Sequence, residues 1–158
     1  MAEKTCCVTG HREIPSGQQA DVIRRLEQEV QQALDDGFTR FVSGFAQGVD
    51  QYFAQIVARL RQSNPSLRLE AAIPYRGRHM VLANAPQTKA LLSACTDLYI
   101  ASNKYARDVY LQRNRYMVEQ SQRIIAVYDG RKNGGTAYTI RYAQAQGKEV
   151  REIQIAPH

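Results

Sequence analysis

Residues 5–12 read Thr-Cys-Cys-Val-Thr-Gly-His-Arg, and residues 123–130 read Arg-Ile-Ile-Ala-Val-Tyr-Asp-Gly. Each segment contains a short apolar run that is followed by a turn with a glycine. Apolar runs that lack the polar alternation of a half-exposed strand are typical of strands buried on both faces of a parallel sheet. Both segments therefore predict central strands of an α/β fold.

Helical and strand patterns alternate on either side of these two segments. The predicted strands cover residues 5–9, 38–43, 67–73, 97–101, 123–128 and 149–155, and the predicted helices cover 18–36, 47–62, a short segment ending near 95, 107–121 and 135–146. Residues 75–87 are predicted as irregular, with Gly77 and Pro86 as breakers, and Pro74 is predicted to end the third strand.

This alternation requires crossover connections and so predicts a mainly parallel sheet covered by helices on both faces. We expect a three-layer α/β/α fold with about six strands, formed by one domain over residues 1–158. Arg151, Glu152 and Gln154 make the last strand too polar for the centre, and it is predicted at an edge.

Composition excludes several classes of protein. The chain has 158 residues, of which 44% are hydrophobic and 23% are charged, close to the averages of soluble globular proteins. Wholesale disorder and collagen-like repeats do not fit these values. No apolar run has the length of a membrane-spanning helix, and the first residues do not resemble a signal peptide. We therefore expect no association with membranes.

The cysteines and histidines do not suggest a metal centre. Cys6 and Cys7 are adjacent, Cys95 stands alone, and the three histidines are scattered along the chain. Three cysteines cannot all pair, and no ligand spacing typical of zinc is present. The pattern favours reduced thiols in a cytoplasmic protein with no required metal or cofactor.

Positive charge is concentrated in the middle of the chain. The 21 Lys and Arg residues exceed the 15 Asp and Glu residues, for a net charge of +6. Most of this excess lies between Arg68 and Arg115, in Arg68, Arg76, Arg78, Lys89, Lys104, Arg107, Arg113 and Arg115. An anionic partner, either a phosphorylated small molecule or nucleic acid, would explain the excess. A basic solvated surface is the alternative explanation.

Glycine-containing turns follow several of the predicted strands. Ligands of open parallel sheets bind beyond the carboxyl ends of the strands, near the point where strand order reverses, so we expect these turns at one edge. Gly134-Gly135-Thr136 opens a predicted helix, where free N–H groups attract anions and glycine permits close approach. We predict this turn as the phosphate-binding turn, although its spacing matches neither the dinucleotide fingerprint nor a P-loop.

Four motifs in order resemble the YpsA-like branch of the SLOG superfamily. They are Thr9-Gly10-His11-Arg12, Ser43-Gly44-x-Ala46-x-Gly48-x-Asp50, Arg113-Asn114-x-x-Met117-Val118 and Gly134-Gly135-Thr136. The superfamily includes DNA-processing protein A and the Lonely Guy phosphoribohydrolases, and the YpsA-like branch has a proposed link to bacterial cell division. The resemblance implies a Rossmann-like fold and a pocket for a nucleotide-derived ligand. The pocket would be formed by the second-strand turn, with Ser43, Gly44 and Gly48, and by the Gly-Gly-Thr turn.

One feature of the Lonely Guy enzymes is missing. They have an acidic residue shortly after their glycine-threonine turn, whereas Thr136 is followed by Ala137, Tyr138 and Thr139, with no carboxylate before Glu149. The resemblance therefore implies ligand binding more directly than it implies hydrolysis.

Individual residues near the turns suggest specific roles. Arg12 is predicted to pair with a phosphate and His11 to donate a proton or a hydrogen bond; alternatively, Arg12 forms a salt bridge to a loop and His11 is exposed. Asp50 is interpreted as an acceptor for a ribose hydroxyl, as a general base, or as a carboxylate that stabilises a helix start. Asn114 is either a buried structural amide or a ligand contact. Tyr75 is positioned to stack on a base.

The sequence thus predicts a protein that binds a nucleotide or a related phosphorylated ligand, as a sensor or regulatory module. The predicted site comprises Thr9, Gly10, His11, Arg12, Ser43, Gly44, Gly48, Asp50, Tyr75, Asn114, Gly134, Gly135 and Thr136. One alternative is an enzyme that cleaves the N-glycosidic bond of a nucleotide, with Asp50 as the candidate catalytic residue. Another is a protein that binds single-stranded nucleic acid weakly through the basic excess. A homo-oligomer is left open.

Overall fold

The computed structural model describes residues 3–157. Its strands are β1 (Thr5–Gly10), β2 (Arg40–Ser43), β3 (Arg68–Tyr75), β4 (Asp97–Ser102), β5 (Arg123–Tyr128) and β6 (Glu149–Gln154). Its α-helices are α1 (Gln19–Asp35), α2 (Val49–Ser63), α3 (Arg76–Asn84), α4 (Pro86–Ser93), α5 (Val109–Gln120) and α6 (Gly135–Ala145), and a 3-10 turn at Ser16–Gln18 precedes α1.

The six strands form one parallel sheet in the order β4-β3-β2-β1-β5-β6. The predicted fold class is confirmed, and β6 lies at an edge as expected. Cys7 lies at the centre of the sheet, in register with Val42 of β2 on one side and Ile124 of β5 on the other. The chain winds outward from β1 to β4 and then returns to place β5 on the other side of β1, so the strand order reverses between β1 and β5.

Alternate residues of the central strands pack into two separate hydrophobic cores. Cys6 and Val8 face the larger core, which is completed by α1, α2 and neighbouring side chains, whereas Cys7 faces the smaller core beneath α5 and α6. Successive side chains of a strand point to opposite faces, and here both faces are covered by helices. This is why the strands are apolar throughout. None of the helices described is both long and apolar enough to cross a lipid bilayer.

The prediction of an irregular segment over residues 75–87 is wrong. Most of it is helix α3, and Gly77 lies in the first turn of that helix. Pro86 begins α4 instead of interrupting structure, because a proline at the first helical position loses no intrahelical hydrogen bond.

The prediction that Pro74 ends the third strand is also wrong, because β3 continues to Tyr75. The neighbouring strand β2 pairs with β3 only as far as Ala71, while Ile73 and Tyr75 pair with β4. The missing N–H of Pro74 therefore leaves no strand–strand hydrogen bond unmade.

Candidate functional site

A cavity of about 460 Å³ opens at the carboxyl edge of the sheet, where the strand order reverses. Open α/β sheets bind their ligands at this position. Nine of the predicted residues line the cavity: Thr9, Gly10, His11, Arg12, Asp50, Asn114, Gly134, Gly135 and Thr136. The turns after β1 and β5 are therefore brought together as the sequence predicts, with Gly10 and Gly134 both in the cavity lining.

Four predicted residues lie outside the cavity lining. Ser43 is buried, and its hydroxyl donates to the carbonyl of Asp50 at 2.8 Å and accepts from the N–H of Phe45 at 3.2 Å. Gly48 has φ +86°, and a Cβ there would lie 2.5 Å from the carbonyl oxygen of Arg12. Both residues shape the turn between β2 and α2.

Gly44 packs against two residues that line the cavity, Arg113 and Asp50. Its carbonyl accepts a hydrogen bond from Arg113 at 2.7 Å, and a Cβ at this position would lie 2.8 Å from both Arg113 Nη1 and Asp50 Oδ2. Tyr75, the fourth residue, packs edge-on against Tyr105 and Tyr110, and only Tyr110 of these three lines the cavity. Tyr75 therefore contacts a lining residue, Tyr110, but does not itself line the cavity in which it was predicted to stack on a base.

Sequence reasoning missed Arg113 as a residue of the site. Arg113 lines the cavity but is only 5% exposed, because its guanidinium lies under the β2–α2 turn. Nη1 donates to the carbonyls of Gly44 at 2.7 Å and Ala72 at 3.3 Å, and Nε donates to Asn114 Oδ1 at 2.8 Å. Asn114 therefore orients Arg113 and also faces the cavity. The Arg113-Asn114 motif was the signal available in the sequence. Nothing in the sequence indicated that the Arg113 side chain would be buried.

Asp50 is the buried carboxylate of this cavity. Burial raises its pKa to about 6, against the opposing effects of the nearby Arg113 and of the Ala46 N–H, which donates to Oδ2 at 3.3 Å. Burial lowers the pKa of Arg113, while Asp50 raises it, and Arg12 and Arg78 add further positive charge nearby. Among the described residues that line the cavity, three are arginines, Arg12, Arg113 and Arg131, and two are carboxylates, Asp50 and the exposed Glu13.

His11 is held by the turn after β5. Its Nε2 lies 3.2 Å from both the backbone nitrogen and Oδ1 of Asp129. The imidazole is buried, which contradicts the alternative of an exposed histidine, and burial lowers its pKa despite the neighbouring carboxylate. In the neutral ring, Nε2 accepts the Asp129 N–H and Nδ1 carries the hydrogen.

The same carboxylate positions Arg131, a second residue missed from the sequence. Arg131 lines the cavity and donates to both oxygens of Asp129, the shortest of these contacts being 2.5 Å. These hydrogen bonds are the main reason why the pKa of Asp129 is lowered. Arg12 is exposed, and its guanidinium lies 5.7 Å from the ring centroid of Tyr110. Within residues 3–157 the alternative salt bridge of Arg12 to a loop is not formed.

The amino end of α6 forms part of the cavity wall. Gly134 precedes the helix with φ 107° and ψ 173°, a conformation available essentially only to glycine. Gly135 has ordinary helical geometry, and a Cβ there would meet open space. The first turn of α6 contains no acidic residue, and no side chain caps it. Its free N–H groups and helix dipole favour an anion.

A metal centre is not evident in the structure. Within residues 3–157 no three His, Cys, Asp or Glu side chains come together in a way that could hold a metal ion, and His158 lies outside the described residues. Glu149, the first carboxylate after Thr136, lies on β6, where it pairs with Arg123 at 2.8 Å and does not reach the cavity.

Comparison with known proteins places the chain among bacterial relatives. It is 26% identical over 141 residues to a UPF0398 protein of Halalkalibacterium halodurans, covering 85% of this chain and 75% of that protein. It is 28% identical over 119 residues to the SPbeta prophage-derived protein YoqJ of Bacillus subtilis, covering 66% of this chain and 69% of that protein.

Two solved structures share the fold at 17% identity. One is TM1055, with a TM-score of 0.58 over 93% of this chain and 72% of that structure. The other is DNA processing protein A from Helicobacter pylori, described for its binding of single-stranded DNA, with a TM-score of 0.65 over 94% of this chain and 64% of that structure. The YspA SLOG family matches residues 6–156, nearly the whole sequence, and the chain belongs to this family.

Proposed function

We propose that the chain binds a nucleotide or a nucleotide-derived phosphorylated ligand in the cavity at the carboxyl edge of the sheet. The observation that carries this proposal is the charge of the cavity. Arg12, Arg113 and Arg131 line it together with the uncapped amino end of α6. In the described part of the chain, its lining carboxylates are the buried Asp50 and the exposed Glu13. Such a surface attracts anions.

The phosphate is assigned to the amino end of α6. Gly134 and Gly135 leave the backbone accessible, and Thr136 adds a hydroxyl to the same wall. Arg131 lies beside this turn, and Asp129 holds its guanidinium in place. The Arg131 side chain has therefore already lost conformational entropy before a ligand binds. These groups supply positive charge without a resident metal, and a Mg²⁺ ion that arrives with the phosphates is compatible with the arrangement.

The remainder of the ligand is assigned to the wall formed by α2 and α5. Asp50 accepts a ribose hydroxyl in this proposal, and Tyr110 offers a ring between Arg12 and Arg113, at 5.7 and 5.6 Å from their guanidinium carbons. The cavity volume of about 460 Å³ lies in the range of small-molecule sites.

Calorimetry with inorganic phosphate, a nucleoside, its 5′-monophosphate and its 5′-diphosphate tests the proposal. We expect the phosphorylated nucleosides to bind and the nucleoside to bind much more weakly. Arg12→Ala should reduce affinity for the phosphorylated compounds, whereas Lys148→Ala, at the far end of α6, should not. Equal binding of nucleoside and nucleotide, or no binding by any compound, would refute the proposal.

Hydrolysis of a nucleotide N-glycosidic bond is a second candidate, and the pKa of Asp50 near 6 is the observation that favours it. A carboxyl group with this pKa can exchange a proton near neutral pH. The candidate predicts release of free base from a nucleoside 5′-monophosphate, with loss of the activity in Asp50→Asn. Unchanged nucleotide after prolonged incubation with the folded protein would exclude it.

Binding of single-stranded nucleic acid is a third candidate, favoured by the likeness to DNA processing protein A. Arg76 and Arg78 follow β3, and Lys104 and Arg107 follow β4, at the same edge as the cavity. Binding through several phosphates weakens steeply with salt. We expect at most weak binding to oligonucleotides that is lost at physiological ionic strength, and tight binding that survives there would favour this candidate over the pocket.

A further inference from the structure

The two edges of the sheet differ in how they are protected. Edge strands expose unpaired backbone groups, and natural proteins shield them with charged residues or covering segments. On β6, Arg151 and Glu152 occupy the centre of the strand, Arg151 pairs with Glu29 at 3.0 Å, and Arg25 donates to the carbonyl of Gln154 at 2.7 Å.

The other edge lacks this protection. β4 reads Asp-Leu-Tyr-Ile-Ala-Ser, so no charged residue follows Asp97 within the strand, and none of its residues is fully buried. In the described part of the chain β4 pairs with β3 alone. Its outer backbone groups are available to another strand.

Exposed apolar side chains cluster beside this open edge. Met80 and Val81 of α3 are 60% and 56% exposed, and Leu98 of β4 is 49% exposed. His79 and Leu98 line one shallow depression of about 180 Å³, which places this part of α3 next to β4. Large exposed apolar patches on soluble proteins mark interaction sites. We name Met80, Val81, Leu98 and the outer edge of β4 the β4 surface.

We propose that the β4 surface binds a second copy of this chain about a two-fold axis perpendicular to the sheet. That operation places two β4 strands antiparallel, so their free edges pair and the two sheets become one of twelve strands. Because the axis keeps each face of the sheet on its own side, it also brings α3 of one copy toward α3 of the other. One rotation thus covers the unpaired strand and the exposed apolar residues together.

The charges at the two ends of β4 favour the same arrangement. Asp97 begins the strand and pairs with Arg68 at 3.1 Å, and Arg68 also pairs with Glu3, so two carboxylates and one guanidinium lie at this end. Lys104 follows the other end of the strand by two residues. An antiparallel pair brings the acidic end of one copy toward the basic end of the other, whereas a parallel pair would bring like charges together. An unrelated partner would need to match both ends, while a second copy matches them by symmetry.

Sedimentation equilibrium of the purified chain tests this inference. We expect a mass of twice 17.9 kDa at micromolar to millimolar protein concentration. Leu98→Lys and Met80→Lys should each give a monomer, and both side chains are exposed enough for the subunit to fold normally. Glu152→Lys, on the β6 edge, is the matched control and should remain dimeric. Thermal unfolding of each variant checks that the subunit is folded.

A charge reversal tests the antiparallel geometry separately. Lys104→Glu should weaken the dimer at least tenfold, and Lys104→Ala, which removes the charge without reversing it, should weaken the dimer less. A monomeric parent chain at millimolar concentration would overturn the inference. So would a dimer that is unaffected by Leu98→Lys, since its interface would then lie elsewhere. Neither result bears on ligand binding, which the nucleotide titrations measure independently.

Discussion

Asp50 and Arg113 show what a single buried position contributes to this site. Each is charged in water, and burial opposes the charge of both, raising the pKa of Asp50 and lowering that of Arg113. Arg113 is compensated by two backbone carbonyls and the amide of Asn114. Asp50 has the Ala46 N–H and the nearby arginine, and these do not fully offset its loss of hydration. The carboxylate is therefore maintained at a cost to folding, as is typical of functional residues.

We predict that Asp50→Asn stabilises the protein near pH 7. Because the pKa of Asp50 is raised to about 6 in the folded chain, the folded state holds a proton that the unfolded state releases near pH 4. Stability is lost as pH rises through this window, and the full penalty, up to about 3 kcal/mol, applies above it. Urea unfolding of parent and variant should differ at pH 7 and converge near pH 4. A variant less stable than the parent at pH 7 would contradict this assignment.

We predict that the same carboxylate makes anion binding dependent on pH. Protonation of Asp50 removes negative charge beside Arg12 and Arg113, so affinity for sulfate, whose own charge is constant, should rise as pH falls through about 6. Burial lowers the pKa of His11, which opposes the addition of positive charge by this imidazole. Sulfate titrations followed by NMR should show this rise in the parent and a much flatter profile in Asp50→Asn. Identical profiles would show that Asp50 does not face the bound anion.

At the scale of elements, the sequence predicts the strands better than the site. Strand β5 is predicted at both ends, because Ile124 to Val127 form an unbroken apolar run between a charged residue and a glycine turn. Helix α3 is missed, because Gly77 has breaker character and the exposed Met80 and Val81 blur the amphipathic pattern on which a helix prediction depends.

The residues of the candidate site also divide into those whose position the sequence predicts and those whose position it does not. Turns that directly follow β1 and β5 reach the cavity, since parallel topology alone fixes their position. Ser43 ends β2 and Gly44 follows it directly, yet both serve the packing beneath Arg113 and the helix start. Which residues of a turn face the ligand depends on side-chain packing between α2 and α5, and no local pattern in the sequence encodes that packing.

Helix α6 supports a prediction that separates ligand binding from folding. Gly135→Val places a side chain in open space at the proposed phosphate position, so it should leave the fold intact and reduce nucleotide affinity at least tenfold. Gly134→Ala forces φ 107° on a residue with a Cβ and should cost about 1–3 kcal/mol of folding free energy. Chemical unfolding and calorimetry on both variants distinguish the two effects. A destabilised Gly135→Val that binds nucleotide normally would contradict the roles assigned here.

At the scale of the whole molecule, the winding of the chain determines where chemistry can occur. The four helices α1 to α4 connect strands on one side of β1, and α5 returns the chain to place β5 on the other side. The crevice left at this reversal receives the turns after β1 and β5 and the amino end of α6. The candidate interface at β4 lies at the far edge of the sheet, three strands from β1, so the proposed dimer and the proposed ligand site use separate surfaces.

Native mass spectrometry of the parent chain and the Gly135→Val variant, each purified without added nucleotide and then mixed with the same panel of cellular nucleotides, tests the central claim most directly. The account predicts that the parent retains one phosphorylated ligand per chain, released on denaturation with the ultraviolet spectrum of a nucleobase, and that the folded variant retains none. A parent chain that retains no phosphorylated ligand, or a Gly135→Val variant that retains it to the same extent, would contradict the account.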